Sequence, residues 1–283
     1  MNSAVATHGD GPLRRGTPPG SLRYFSALFA PAPVRPLLDA LYAFESEIRD
    51  SARAQSHEVA HTRLQWWRAE IDRLAGGQPL HPITVALRPL RDCASGDAAL
   101  LHEVLAAADL DLAGWTYSSW QELEAYAFRA AGALQTLIAA ALAGPRALSP
   151  GEREFARVLG SALRQTEMLR DLPQDVARGH LYVPLDVLAE AGLDPSNLPT
   201  SPPAALAAVA AAWRDRIAAA LSSLPSLLSP AERSTQRPGL VLGALHRRLL
   251  ERIDATRDAA ATRAEVPPWS RLWTAWSTAV RYA

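Results

Sequence analysis

Apolar side chains recur along this chain at three- and four-residue intervals, the spacing that lines one face of an α-helix. The alternating Val, Ile and Thr runs that would mark strands are missing. Proline and glycine cut the pattern into segments. Helices are predicted over residues 21–29 and 36–54, the second opening on Pro36, a favoured first-turn residue. A third covers 58–75 and is stopped by Gly76 and Gly77. Shorter ones follow at 83–90 and 97–108. A long helix over 118–142 carries Leu123, Ala127, Ala130, Leu134 and Leu137 on one side. Ser149 and Pro150 open the next, with Glu152 placed to complete a capping box, and it reaches at least Leu172. A turn at Gly179 precedes a helix over 184–191 and a Pro-rich connector over 194–203. Helices resume at 204–224, 240–261 and 268–282. The pattern predicts an all-α fold. The residues after the connector are too poor in large side chains for their own core. One helical domain is therefore expected over 21–283, behind a disordered tail over 1–20.

Composition narrows the function classes. With 48% hydrophobic and 20% charged residues, the chain is expected to fold rather than stay disordered. Its 29 basic and 29 acidic residues cancel, so it lacks the positive field of a phosphate-neutralising nucleic-acid binder. All 29 basic residues are arginine. That excludes a Schiff-base lysine, a pyridoxal-phosphate anchor and a phosphate-loop lysine. Every fixed cation is instead a planar fork suited to carboxylates and phosphates. The lone Cys93 excludes an internal disulfide or a cysteine-rich zinc site and fits a reducing cytoplasm. The N-terminal residues show no apolar signal core, and no segment reads as a membrane span.

The segment from Leu169 to Pro184 carries the chemistry. Asp171 and Asp175 are four residues apart, so their carboxylates share a helix face. Such a pair can hold Mg²⁺, a hard cation that bridges to substrate phosphates. Arg170 and Arg178 flank the pair and can grip phosphate oxygens. A lone DxxxD is common on solvated faces; the longer string RDxxxDxxRGxxYxP is far more specific.

In that string the chain resembles the squalene/phytoene synthase family, whose second aspartate-rich motif reads LTNxLRDxxED followed by RRGRxYLP. Thr166, Leu169, Arg170, Asp171, Asp175, Arg178, Gly179, Leu181, Tyr182 and Pro184 match it. Leu41 to Phe44, Trp67 to Ile71, His81 to Ile83 and Leu123 to Tyr126 resemble further family elements, so the likeness runs from about Ser21 to Leu193. The resemblance implies a helical bundle with a central cavity that takes prenyl diphosphates of the farnesyl or geranylgeranyl class with Mg²⁺. It implies metal ligation by Asp171 and Asp175, and places Tyr42, Arg170 and Tyr182 near the diphosphates or reacting carbons. NADPH is not indicated.

Departures from the family pattern bear on activity. Where the first motif has aspartates, this chain reads Arg49-Asp50-Ser51-Ala52-Arg53, and both metal-binding positions are arginine. In the second motif, the substrate-facing Gln and Asn are Arg164 and Glu167. Cations repel Mg²⁺. The segment Glu45 to Glu70 also resembles a divergent branch that includes the mitochondrial assembly factor of respiratory complex I. Two arrangements stay open. Arg49 and Arg53 can bind a diphosphate, or they can pair with Asp171 and Asp175 and fill the metal site. The corresponding functions are a head-to-head prenyltransferase acting through an allylic carbocation, and an impaired member that binds prenyl diphosphate or assists assembly.

Other features weigh less. Trp269, Trp273 and Trp276 fall on one helical face, read either as packing or as contact with a membrane or partner. The expected location is the cytoplasm, with the inner-membrane surface as the alternative that this face raises. The seven histidines show no metal spacing, and His180 reads as a surface residue.

Overall fold

A computed structural model describes residues 12–54, 56–200, 203–255 and 264–283, and among them it is helical, with no strand. Ser21 caps Leu22–Ala27 (α1), and Pro36 lies in the first turn of Arg35–Ala52 (α2). Ser56 caps His57–Ala75 (α3), which is followed by Pro82–Ala86 (α4) and Leu100–Leu112 (α5). Trp120–Ala143 (α6) contains one π-helical turn at Phe128–Gly132. Pro150–Ala177 (α7) starts on the expected capping box: Ser149 accepts from the Glu152 amide and Glu152 from the Ser149 amide. Leu185–Glu190 (α8), Pro203–Ser223 (α9), Pro230–Thr235 (α10), Arg237–Ala255 (α11) and Pro268–Arg281 (α12) complete the chain.

One continuous core joins α2, α3, α5, α6, α7, α9 and α11, with Phe44, Trp67, Tyr126, Phe155 and Trp213 buried in it. α6 packs against both α2 and α7, and side chains of α2 and α7 meet beside it. By length and composition α6 could cross a membrane, but 72% of its most apolar window is buried in the bundle; it is the core helix. The crossing of α6 and α7 depends on two glycines. A Cβ on Gly160 would stand 2.4 Å from the Cα of Gly132 and 2.5 Å from its nitrogen. Only hydrogen on both sides lets the backbones approach this closely.

The helices expected from periodicity are present, with shifts of a few residues. The single helix expected over 83–90 is two pieces, α4 and a 3₁₀ turn over Arg88–Asp92, because Pro89 has no N–H to continue the ladder. α7 instead runs past Pro173 to Ala177. α10 was not expected, although Ser229-Pro230 and Glu232 repeat the Ser-Pro-x-Glu signature of α7. Residues 256–261 of the helix expected over 240–261 lie outside the described residues, as do residues 1–11 of the expected tail. Residues 12–20 are not a free tail: a 3₁₀ turn at Pro12–Arg15 leads to Thr17, whose buried hydroxyl donates to Asp39 of α2.

A buried carboxylate fixes the α3–α4 connection. Glu70 accepts from the amides of Leu80 at 2.8 Å and His81 at 2.7 Å, from Arg73 at 2.7 Å, and from the Thr84 hydroxyl. Burial opposes its charge, yet hydrogen bonds from His81, Thr84, Arg73 and Leu80 hold its pKa down at about 2.

Two measurements check these points. Gly160→Ala is expected to lower stability by about 2–3 kcal/mol in urea unfolding, because backbone rather than a flexible side chain must give way. The folded-state pKa of Glu70 lies below its unfolded value, so its contribution is full above the unfolded value and is lost as pH falls toward 2. Glu70→Gln is expected to be less stable than the parent at pH 7 and to lose less on acidification, read from urea midpoints at pH 7 and pH 3.

Candidate functional site

The C-terminal half of α2 faces the middle of α7 across a cavity of about 400 Å³. α2 contributes Arg49, Ala52 and Arg53, and α7 contributes Arg164, Glu167, Met168, Asp171 and Asp175. Asp111 from the end of α5 and Arg178, His180 and Tyr182 from the segment after α7 close it. Gly179 makes that segment possible: its φ of +76° ends α7 and turns His180 and Tyr182 back toward the helix they left.

Partly buried arginine–carboxylate pairs line one wall. Arg49 donates to Glu167 at 2.8 Å and to Glu45 one turn earlier on α2. Arg23 of α1 reaches the same Glu45 at 2.6 Å. Arg164 donates to Tyr126 at 2.5 Å, Tyr182 at 3.2 Å and Asp111 at 3.3 Å, and both tyrosine hydroxyls donate to Asp111. Electrostatics follow this pairing. Burial works against the charge on Arg49, but Glu167 and Glu45 more than offset it and raise its pKa. Burial likewise opposes the Glu167 carboxylate, and Arg49, Arg23 and Arg164 reverse the effect and hold it low. Burial pushes the Tyr182 hydroxyl up to about 12, so it is a neutral donor.

The Asp171–Asp175 pair lines the same cavity. Arg170 holds Asp171 with both arms of its fork, at 2.8 and 2.9 Å. Burial raises the pKa of Asp175, and the neighbouring Asp171 raises it further. A cation between the two would relieve that repulsion, and carboxylate oxygens are the donors Mg²⁺ prefers. Among the described residues no cluster of three or more His, Cys, Asp or Glu could hold a metal. Two carboxylates alone would leave most of a Mg²⁺ shell to be filled by oxygens from a ligand or water.

The sequence-derived residues divide accordingly. Asp171, Asp175, Tyr182, Arg49, Arg53, Arg164 and Arg178 all line the cavity. Arg170 does not line it; its fork goes to Asp171. Tyr42 does not line it either. It is buried between Arg23, 4.8 Å over its ring, and Gln135 at 3.4 Å. Of the arrangements foreseen for Arg49, the pairing with Asp171 and Asp175 is replaced by one with Glu45 and Glu167. His180, read as a surface residue, lines the cavity and stacks on Tyr182 with ring centroids 5.1 Å apart. Its Nε2 is buried with no hydrogen-bond partner among the described residues. Asp111 gave no sequence signal, and Tyr126 only its place in a family-like segment, because their roles come from an arginine dozens of residues away.

Removing one member of the Arg49–Glu167 pair strands a partly buried charge. Arg49→Met is expected to cost about 3 kcal/mol, and Arg49→Met with Glu167→Leu distinctly less than the two single changes summed. A double-mutant cycle in urea unfolding measures the difference.

Comparisons with known proteins agree with this geometry. The profile of the squalene/phytoene synthase family matches residues 19–273. A phytoene synthase of Arthrospira platensis is 26% identical over 270 residues, covering 88% of this chain and 85% of that protein. One from Mycobacterium tuberculosis is 28% identical over 239 residues, covering 82% and 77%. In structure, the chain resembles a dehydrosqualene synthase solved in complex with a ligand, with a TM-score of 0.74 at 15% identity, covering 92% of this chain and 90% of that one. It also resembles the squalene synthase HpnC from Alicyclobacillus acidocaldarius, with a TM-score of 0.62 at 21% identity, covering 84% and 93%. This chain belongs to the squalene/phytoene synthase family.

Proposed function

We propose that this chain binds the diphosphate head of a single prenyl diphosphate at the cavity mouth and does not condense two. The observation that carries this reading is the pairing of Arg49 with Glu45 and Glu167. An arginine fills the place of a metal-binding aspartate, and two carboxylates already hold it. The spaces behind it, lined by Glu45, Arg49, Arg164 and neighbours, are about 10 and 20 Å³. Spaces of that size take about one water each, so a second apolar chain has no room there.

Charge balance supports joint uptake of metal and anion. Four arginines (Arg49, Arg53, Arg164, Arg178) and four carboxylates (Asp111, Glu167, Asp171, Asp175) line the cavity, so the fixed charges cancel. A diphosphate entering alone meets the Asp171–Asp175 pair. With Mg²⁺ on that pair the lining becomes positive, and Arg53 and Arg178 are placed to grip the outer oxygens. When bound, Mg²⁺ supplies charge neutralisation of the diphosphate. Arg164, held by Asp111, Tyr126 and Tyr182, keeps the inner wall rigid.

The test is calorimetric titration of the intact chain with farnesyl diphosphate, with and without MgCl₂, beside an assay for released diphosphate. The expected result is Mg²⁺-dependent binding, weakened about tenfold or more by Asp175→Asn, with no release above buffer. Absence of binding overturns the proposal. Mg²⁺-dependent release at about 1 s⁻¹ or faster, in the range of ordinary enzymes, establishes the condensing reading instead.

A further inference from the structure

The cavity is walled by polar groups. Of the twelve side chains that line it, only Ala52 and Met168 carry neither a charge nor a strong hydrogen-bonding group. Apolar side chains gather beyond Arg49 and Arg164. Ile48, Val104 and Ala130 line one of the two small spaces there, and Ala131, Leu163 and Leu242 the other. All six are buried. Arg49 and Arg164 line the cavity and both spaces, so they are the partition between the polar region and the apolar one.

Ion pairs hold that partition shut. Arg49 of α2 donates to Glu167 of α7 at 2.8 Å. Arg164 of α7 lies 3.8 Å from Glu167 and 3.3 Å from Asp111 of α5. The four side chains make one bar of alternating charge that runs from α2 through α7 to α5. Their exposures lie between 7% and 26%, so parting them leaves charges that water cannot fully resolvate. A prenyl tail brings no polar group to replace the lost partners. It therefore does not open the bar, and the cavity itself offers it almost no apolar wall.

We infer that this bar is a stop for the prenyl tail: the site recognises the Mg²⁺–diphosphate head and does not read the length of the chain attached to it. The inference rests on the diphosphate binding proposed above and adds the class of ligand, a diphosphate whose organic part may be short. Each CH₂ moved from water into an apolar site tightens binding about fourfold. Geranyl diphosphate has five carbons more than dimethylallyl diphosphate, worth roughly a thousandfold if they were all buried. With the bar in place that gain is lost.

The test is calorimetric titration of the full chain with dimethylallyl, geranyl and farnesyl diphosphate in the presence of MgCl₂. The expected dissociation constants agree to within about tenfold. Arg49→Ala with Glu167→Ala removes one cation and one anion and leaves Arg23 with Glu45 and Arg164 with Asp111. It also joins the cavity to the apolar spaces. This double variant is expected to bind geranyl diphosphate at least about tenfold more tightly than dimethylallyl diphosphate, the worth of about two buried carbons. The ratio is read because loss of Arg49 affects the shared head equally in both ligands. Circular dichroism melts check folding; should the variant not fold, Arg49→Ser with Glu167→Ser replaces it. A parent chain that binds farnesyl diphosphate more than about tenfold more tightly than dimethylallyl diphosphate overturns the inference and leaves diphosphate binding standing. A double variant as indifferent to length as the parent also overturns it. Absence of Mg²⁺-dependent binding by all three ligands overturns the proposed function, and this inference with it.

Discussion

A charge buried in a protein interior must be paired, and the centre of this molecule is arranged around that requirement. Arg49 on α2 and Glu167 on α7 lie 118 residues apart in sequence and 2.8 Å apart in space. Either alone would be costly; together with Glu45 and Arg23 they form a chain of alternating charge. The fold supplies the conditions for it. The Gly132–Gly160 crossing sets α6 against α7, α6 packs against α2, and the facing helices are left a side-chain length apart.

The charges of the cavity wall compensate one another. Arg49 meets Glu167, and Arg164 meets Asp111, with the Tyr126 and Tyr182 hydroxyls satisfying both. Asp171 and Asp175 line the same cavity, and each carboxylate disfavours charge on the other.

Much of the fold was legible in the sequence because helices are local. Three- and four-residue spacing located the long helices, Ser149 with Glu152 announced the start of α7, and glycine at 179 marked its end. Boundaries set by competition between local rules were less legible: Pro89 splits a helix while Pro173 is accommodated within one. The site was legible where one continuous string carried it. Asp171, Asp175, Arg178 and Tyr182 were found that way, and all line the cavity. Tyr42 and Arg170 do not line it, because matching a motif position does not fix where a side chain points. Arg170 turns along its own helix to Asp171, and Tyr42 lies under Arg23.

The sequence by itself determined the all-α class, the Asp171–Asp175 pair on one helix face and the stripe of three tryptophans on another, since each follows from spacing along a single helix. Only the tertiary structure decided what Arg49 pairs with, that His180 faces the cavity, and that the tryptophan stripe points out of the bundle. The physical reason is the same in each case. Periodicity says which residues share a face, whereas the partner of a long charged side chain, or the side of a helix left uncovered, depends on how distant segments pack.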